Sequence, residues 1–325
     1  MGVDLIRGLD LDPATYRRHA LHADDRAWVE KNCYFDIWIE MIHAVGCEPY
    51  AMCPVVSAID FVGDQWTFFK PAHTELWELY GLDVQELNCW RPLLDQAVEH
   101  LAAGRLISTE ADAWWLPDVS GTDYRRQHTK STIVLTELDV EKQQLGYFHN
   151  AGYYRLEGED FVKTFRVDAA PDPAFMPFFA ETVATDRIVR RDAADLRARS
   201  GALLARHLAR RPADNPVARF AARFATDLPD LQAKGLAHYH AWAFATVRQL
   251  GSAAEVMALY LAWLAEGEGQ FGPAIAAYDE LSGLAKSFIL KAARAVNGKK
   301  AFDPNFAPWI AAYDRALTNL VQHAD

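Results

Sequence analysis

"HTKSTIVLTELDVEKQQLGYFHNAGYYRL", residues 128–156, is the stretch that decides the fold. "HTKSTIVLTEL" and "LGYFHNAGYYRL" are rich in β-branched and aromatic residues and read as two strands. The polar "DVEKQQ" between them reads as the turn of a hairpin. Upstream, "RLISTEADAWWLP" reads as a further strand ending at Pro117. Helical spacing appears at 33–45, around 73–80 and at 90–103, where Gly104 stops it. Helices first and sheet afterwards, without regular alternation, predict an α+β domain rather than a doubly wound one.

Around residue 170 the composition changes. "APDPAFMP" is a Pro-rich joint at 170–177. Segments rich in Ala, Leu and Arg follow at helical period, at roughly 185–211, 214–226, 233–249, 253–267, 273–296 and 305–323. "RRPADNP", "LGSA" and "NGKKAFDPN" separate them as breakers. The sequence thus predicts an α+β domain over 1–170 and an all-α helical domain over 171–325.

The 325 residues are 51% hydrophobic and 24% charged, the make-up of a globular chain. Acidic residues outnumber basic ones 44 to 33, and this balance argues against a nucleic-acid-binding face. The opening "MGVDLIRGLDLDPATYRRH" lacks the apolar core of a secretory signal, and no run approaches a membrane span. A cytoplasmic protein with no membrane partner is therefore expected. Cys33, Cys47, Cys53 and Cys89 form no Cys-x-x-Cys pair and no zinc spacing, which predicts reduced thiols and no metal. His238 and His240 in "HYH" would lie about 200° apart on a helix and cannot share one ion through it. No phosphate-cradling glycine loop is present.

One cysteine stands out. In "KNCYFDIWIEMIHAVG", residues 31–46, Tyr34, Trp38, Met41, Ile42 and Val45 form a helical stripe that Gly46 ends. Asn32 suits the N-cap, which makes Cys33 the first helical residue. Unpaired N–H groups and the helix dipole favour a thiolate there. A thiol nucleophile needs a base and an orienting group. His128 is the candidate base, and His149 or Asn150 in "GYFHNAGY" the candidate orienter. Strand parity separates these two. A four-residue turn puts His149 on the face of His128, and a five-residue turn puts Asn150 there. "GDQWTFFKPAH", with Asp64, Gln65, Lys70 and His73, reads as a loop that lines an acyl pocket or packs as a turn. Asp112 reads as structural, and "EGEDF" at 157–161 as a helix cap.

The order of Cys at a helix start, His opening a strand and Asn ending the next resembles the papain-like cysteine peptidase fold. The strings "NCYFDIWIE", "FVGDQWTFFK", "DVQELNCWRPL", "DAWWLPD" and "LGYFHNAGYYRLEGEDF" resemble a bacterial domain-of-unknown-function family. The N-terminal half of that family is similar to the thiol acyltransferases of butirosin side-chain biosynthesis. The resemblance implies Cys33 as nucleophile, His128 as base and Asn150 as third member. The papain-type glutamine is replaced by Ala27, so oxyanion donors must come from the Cys33 backbone and from Asn32 or Gln65. His149 is placed beside the substrate.

The implied activity is transfer of an acyl or aminoacyl group from a carrier-protein thioester to a small amine or peptide, through a Cys33 acyl-enzyme. No resident cofactor is implied, and a phosphopantetheine thioester on the partner is the expected donor. Water as acceptor makes the same triad an amidase or peptidase. A third reading is a non-catalytic protein whose cleft holds a carrier protein or peptide.

Overall fold

In the computed structural model, which describes residues 5–170, 178–266 and 269–323, the β-branched runs become strands of one antiparallel sheet. The chain begins with β1 (Ile6–Arg7), α1 (Cys33–Ala44), β2 (Phe61–Val62), β3 (Gln65–Trp66), α2 (His73–Tyr80), β4 (Asp83–Glu86) and α3 (Leu93–Ala102). It continues with β5 (Arg105–Asp112), β6 (Lys130–Asp139), β7 (Gln144–His149), β8 (Gly152–Glu157), α4 (Gly158–Thr164) and β9 (Ala180–Ala184). Helices α5 (Ala193–Leu208), α6 (Pro216–Lys234), α7 (Leu236–Ala243), α8 (Gln249–Ala265), α9 (Gly272–Gly298) and α10 (Ala307–His323) follow. The protein is thus mixed α/β, with an antiparallel sheet in its N-terminal part and a helical C-terminal region.

Two units divide the chain, and neither is continuous. One comprises the described residues of Met1–Ala20, Cys33–Pro49 and Ala72–Arg191. The other comprises Leu21–Asn32, Tyr50–Pro71 and the described residues of Asp192–Asp325. The sheet runs past the boundary expected at 170, because β9 inserts between β4 and β5. The Pro-rich joint lies, from Pro171 on, outside the described residues. So do the first four residues of the stretch read for a signal, and Gly267 at the end of an expected helix.

In the first unit the strand order is β4-β9-β5-β6-β7-β8, with β1 beside β6. Helix α1 lies against β6, β7 and β8. It is buried from Tyr34 to Ile42 on every side, so packing rather than propensity holds it. Its Glu40 is fully enclosed and accepts from the Tyr16 hydroxyl at 2.6 Å and the His19 backbone N–H at 3.1 Å. The Tyr16 hydroxyl is pushed well above its ordinary pKa, by burial first and Glu40 second.

The hairpin differs from its sequence reading in two ways. "LGYFHNAGYYRL" is two strands, because Asn150 and Ala151 form a tight turn with Asn150 at φ +45°. Asn tolerates this left-handed backbone better than most residues. A bulge also lies between Leu135 and Glu137 of β6. There the Thr136 hydroxyl donates to the Gly146 carbonyl at 3.1 Å. Gly146 is required, since a Cβ on it would stand 2.1 Å from the Tyr153 hydroxyl and 3.0 Å from the Glu137 Cβ.

In the second unit an aromatic cluster joins α6, α9 and α10 through Phe220, Phe224, Phe288, Phe306 and Trp309. Phe61 of β2 packs on Phe220 at 5.6 Å. The break expected at "LGSA" is absent, and α8 runs through it after a π-helical turn at Phe244–Arg248. Gly251 is small because the Trp28 ring lies against it, with 2.3 Å left for a Cβ.

Candidate active site

Four polar groups sit on the sheet of the first unit. Side chains alternate along a strand, so each can be assigned to a face. Cys33 opens α1, and its sulfur lies 3.8 Å from the Thr132 hydroxyl of β6. Thr132 pairs with Glu110, and Lys130 with Asp112, so all four project on the Cys33 face. The Lys130 ammonium meets Glu110 at 2.8 Å.

His128 reaches the same face. Its Nδ1 lies 2.6 Å from Asp112 Oδ2, while Asp112 Oδ1 accepts the Trp114 backbone N–H at 3.0 Å. The Trp114 indole stacks on the imidazole at 4.6 Å and 12°. A carboxylate on Nδ1 and a ring on one side fix both the tautomer and the plane, and leave Nε2 to carry the lone pair. The His128 side chain is 68% exposed. Asp112, expected to be structural, caps the turn at Ala113–Trp115 and also holds His128 Nδ1.

A second imidazole–carboxylate pair lies on the same face. The Tyr34 hydroxyl donates to Glu181 at 3.0 Å and lies 2.9 Å from His73 Nε2, which is 3.1 Å from Glu181. Glu181 pairs with Ser108 of β5, which alternates onto the Glu110 side. Burial first, and Glu181 second, push the Tyr34 hydroxyl well above its ordinary pKa. The sequence flagged His73 but not Glu181, whose strand was unread.

His149 belongs to the other face. Ile133 pairs with His149, which sets His149 beside Ser131 and opposite in direction to Thr132. Its Nε2 is 2.6 Å from the Ser131 hydroxyl, and its Nδ1 is 2.5 Å from Asp118 Oδ2. Asp118 Oδ1 accepts the Tyr147 hydroxyl at 2.5 Å. The His149 and Asp118 side chains are 1% and 2% exposed. Sequence reasoning missed Ser131 and Asp118 because no spacing motif links a strand serine to a turn aspartate.

The bulge explains the outcome. Four residues, 140–143, join Asp139 to Gln144, and by parity alone His149 would share the face of His128. One extra residue at Thr136 reverses that parity above the bulge. Asn150 stands in the turn at the end of β7, past the last β6–β7 pair. The structure thus brings Cys33 to Thr132, His128 to Asp112 and His149 to Ser131 and Asp118. It does not join Cys33 and His128 by a hydrogen bond, and among the described residues the sulfur's one polar partner is Thr132.

The remaining candidates lie in the second unit. Asn32 is buried and donates its side-chain N–H to the Phe69 carbonyl at 3.1 Å. Gln65 is exposed on β3. His238 meets Asp230 at 3.3 Å. Among the described residues no group of three or more His, Cys, Asp or Glu could hold a metal ion, and no helix is long and apolar enough to cross a membrane.

Comparison with known proteins matches the chain in two segments. Residues 17–185 match the DUF1839 N-terminal domain, and residues 193–322 match the DUF1839 C-terminal domain. No curated protein matches the chain. Matched over both parts, the chain belongs to the DUF1839 family.

Proposed function

We propose that this protein is a cysteine-dependent acyltransferase of papain-like type. The supporting observation is that the first residue of a buried helix, Cys33, and an imidazole oriented by a carboxylate, His128 on Asp112, share one face of an antiparallel sheet. Asp112 takes the orienting role that Asn150 was expected to fill. The donor is an acyl or aminoacyl thioester, such as a phosphopantetheine arm on a carrier protein, and the acceptor is an amine.

The steps balance as follows. His128 Nε2 takes the Cys33 thiol proton, and the sulfur attacks the thioester carbonyl. The backbone N–H of Cys33 faces the oxyanion. The donor thiolate leaves with the proton from His128. The amine then attacks the Cys33 acyl carbonyl and gives its proton to His128, the carbon–sulfur bond breaks, and the Cys33 sulfur takes that proton back from His128 as the thiol re-forms. Water in place of the amine gives the free acid, so product analysis separates transferase from amidase.

The test is an acyl trap. Wild-type protein is mixed with an acyl-N-acetylcysteamine thioester and read by peptide mass spectrometry. An acyl adduct on Cys33, absent in Cys33→Ala and lost in His128→Ala, is expected. Acylation at other cysteines alone, or no adduct, overturns the proposal. One observation favours the non-catalytic binding reading, namely that the polar neighbour of the sulfur is Thr132 and not an imidazole. That reading expects iodoacetamide to alkylate Cys33 at the same rate in wild type and His128→Ala.

A further inference from the structure

The β6–β7 ladder ends at Ile133 and His149. Beyond it, among the described residues, Thr132, Ser131 and Lys130 have strand partners on β5 and none on β7. This is the end of β6 that presents Thr132 to Cys33 and leads back to His128. On its open side one bond continues the pairing, from the Ser131 hydroxyl to His149 Nε2 at 2.6 Å. Behind it stand Asp118 at 2.5 Å from His149 Nδ1, and the Tyr147 hydroxyl at 2.5 Å on the other oxygen of Asp118.

Donors and acceptors in this chain match without remainder for a neutral imidazole. In that form the Ser131 O–H would donate to Nε2 and Nδ1–H to Asp118, while the Tyr147 O–H fills the second carboxylate oxygen. Asp118 is itself anchored in a short 3-10 turn at Pro117–Val119. A buried network with every member satisfied is rigid. We propose that Asp118, His149 and Ser131 form a positioning tether that extends the sheet by side chains and fixes the end of β6 under Cys33 and His128. His149 thus acts on the Cys33 site from the opposite face, as a positioning residue and not as a base or a substrate ligand. The consequence for reactivity rests on the acyl-transfer reading, whereas the tether itself does not.

The test uses Ser131→Val and Ser131→Thr in the full chain. The two replacements have the same shape and strand preference, and only Thr keeps the hydroxyl. Two readouts are taken, amide hydrogen exchange over 129–133 and the rate of Cys33 alkylation by iodoacetamide at neutral pH, with Cys47 and Cys89 as internal controls. Ser131→Val is expected to speed exchange and to slow Cys33 by about tenfold or more, the size of effect a small misplacement gives. Ser131→Thr is expected to restore both. Wild-type exchange in Ser131→Val overturns the tether. Faster exchange with unchanged Cys33 alkylation overturns its positioning role, provided His128→Ala does slow Cys33. If His128→Ala leaves Cys33 unchanged, the acyl-transfer reading fails on its own and exchange still decides the tether. Labelling of Ser131 by a fluorophosphonate overturns the proposal too, because a tether does not react as a nucleophile.

Discussion

Two histidines near the same hairpin make the same bond and live in opposite environments. His128 and His149 each hold an aspartate through Nδ1, at 2.6 and 2.5 Å. The first pair is open to water on its outer side, and the second is sealed. An exposed pair is worth little to stability, but its other nitrogen is free for chemistry. A sealed pair has spent both nitrogens, and breaking it strands a charge. A carboxylate partner alone therefore does not mark a working histidine. What the far nitrogen meets does.

The comparison can be broken most severely at the bulge. Deleting Thr136 would return the upper part of β6 to the other parity and exchange Thr132 and Val134 with Ser131 and Ile133 across the sheet. No cooperative thermal transition is expected, and a native-like melt would show that the bulge does not set the faces. His149→Ala comes next. It leaves Asp118 buried with one partner, and a loss of about 3–5 kcal/mol in urea unfolding is expected. A loss of under ~1 kcal/mol would put the sealed pair in the same class as the exposed one.

Gly146→Ala sharpens the same point. The added methyl must displace the Tyr153 hydroxyl beside the bulge, and about 1–3 kcal/mol of destabilisation is expected from the same unfolding curves. Asp112→Asn is the mirror experiment. Stability should change by no more than about 1 kcal/mol, while the Cys33 acyl adduct falls with that of His128→Ala. A large stability loss with full acylation would reverse the roles assigned to the two pairs. The smallest effect concerns the bystander thiols. Burial pushes the Cys89 thiol up, and burial pushes Cys47 up against the pull of Arg190. A raised thiol has less thiolate at a given pH, so alkylation of both should keep rising above pH ~8.5. A plateau below that pH would contradict the burial effect.

The hairpin and most helices were legible from periodicity, but the strand read as far as Pro117 stops at Asp112, where Ala113–Trp115 turn into a 3-10 helix. The bulge was not legible, because Thr136 in "IVLTELD" continues a run of strand-favouring residues without a break. The turn at Asn150 was hidden by aromatic residues on both sides. "AETVA" at 180–184 carries two alanines and pairs with β4 and β5, which are distant in sequence, so no local signal marks it. Gly251 read as a breaker because its reason is a tryptophan ring from residue 28. At the candidate site, Cys33 and His128 were readable as residue types in order. The contact of Asp112 with His128 was not readable, because it depends on how the chain returns to the end of β5.

The interleaved units carry a consequence for how the chain can be divided. The two matched family segments meet between residues 185 and 193, yet 21–32 and 50–71 belong with the helices. Glu255 of α8 receives the Ala27 and Trp28 backbone N–H groups and the buried Lys31 ammonium. Ser282 receives the Trp28 indole N–H at 2.9 Å. Severing the chain between the segments would leave Glu255 a bare carboxylate and Phe220 without Phe61. The C-terminal segment is thus a module by sequence but not by folding. Swapping it between relatives would succeed only if residues 21–32 and 50–71 travelled with it.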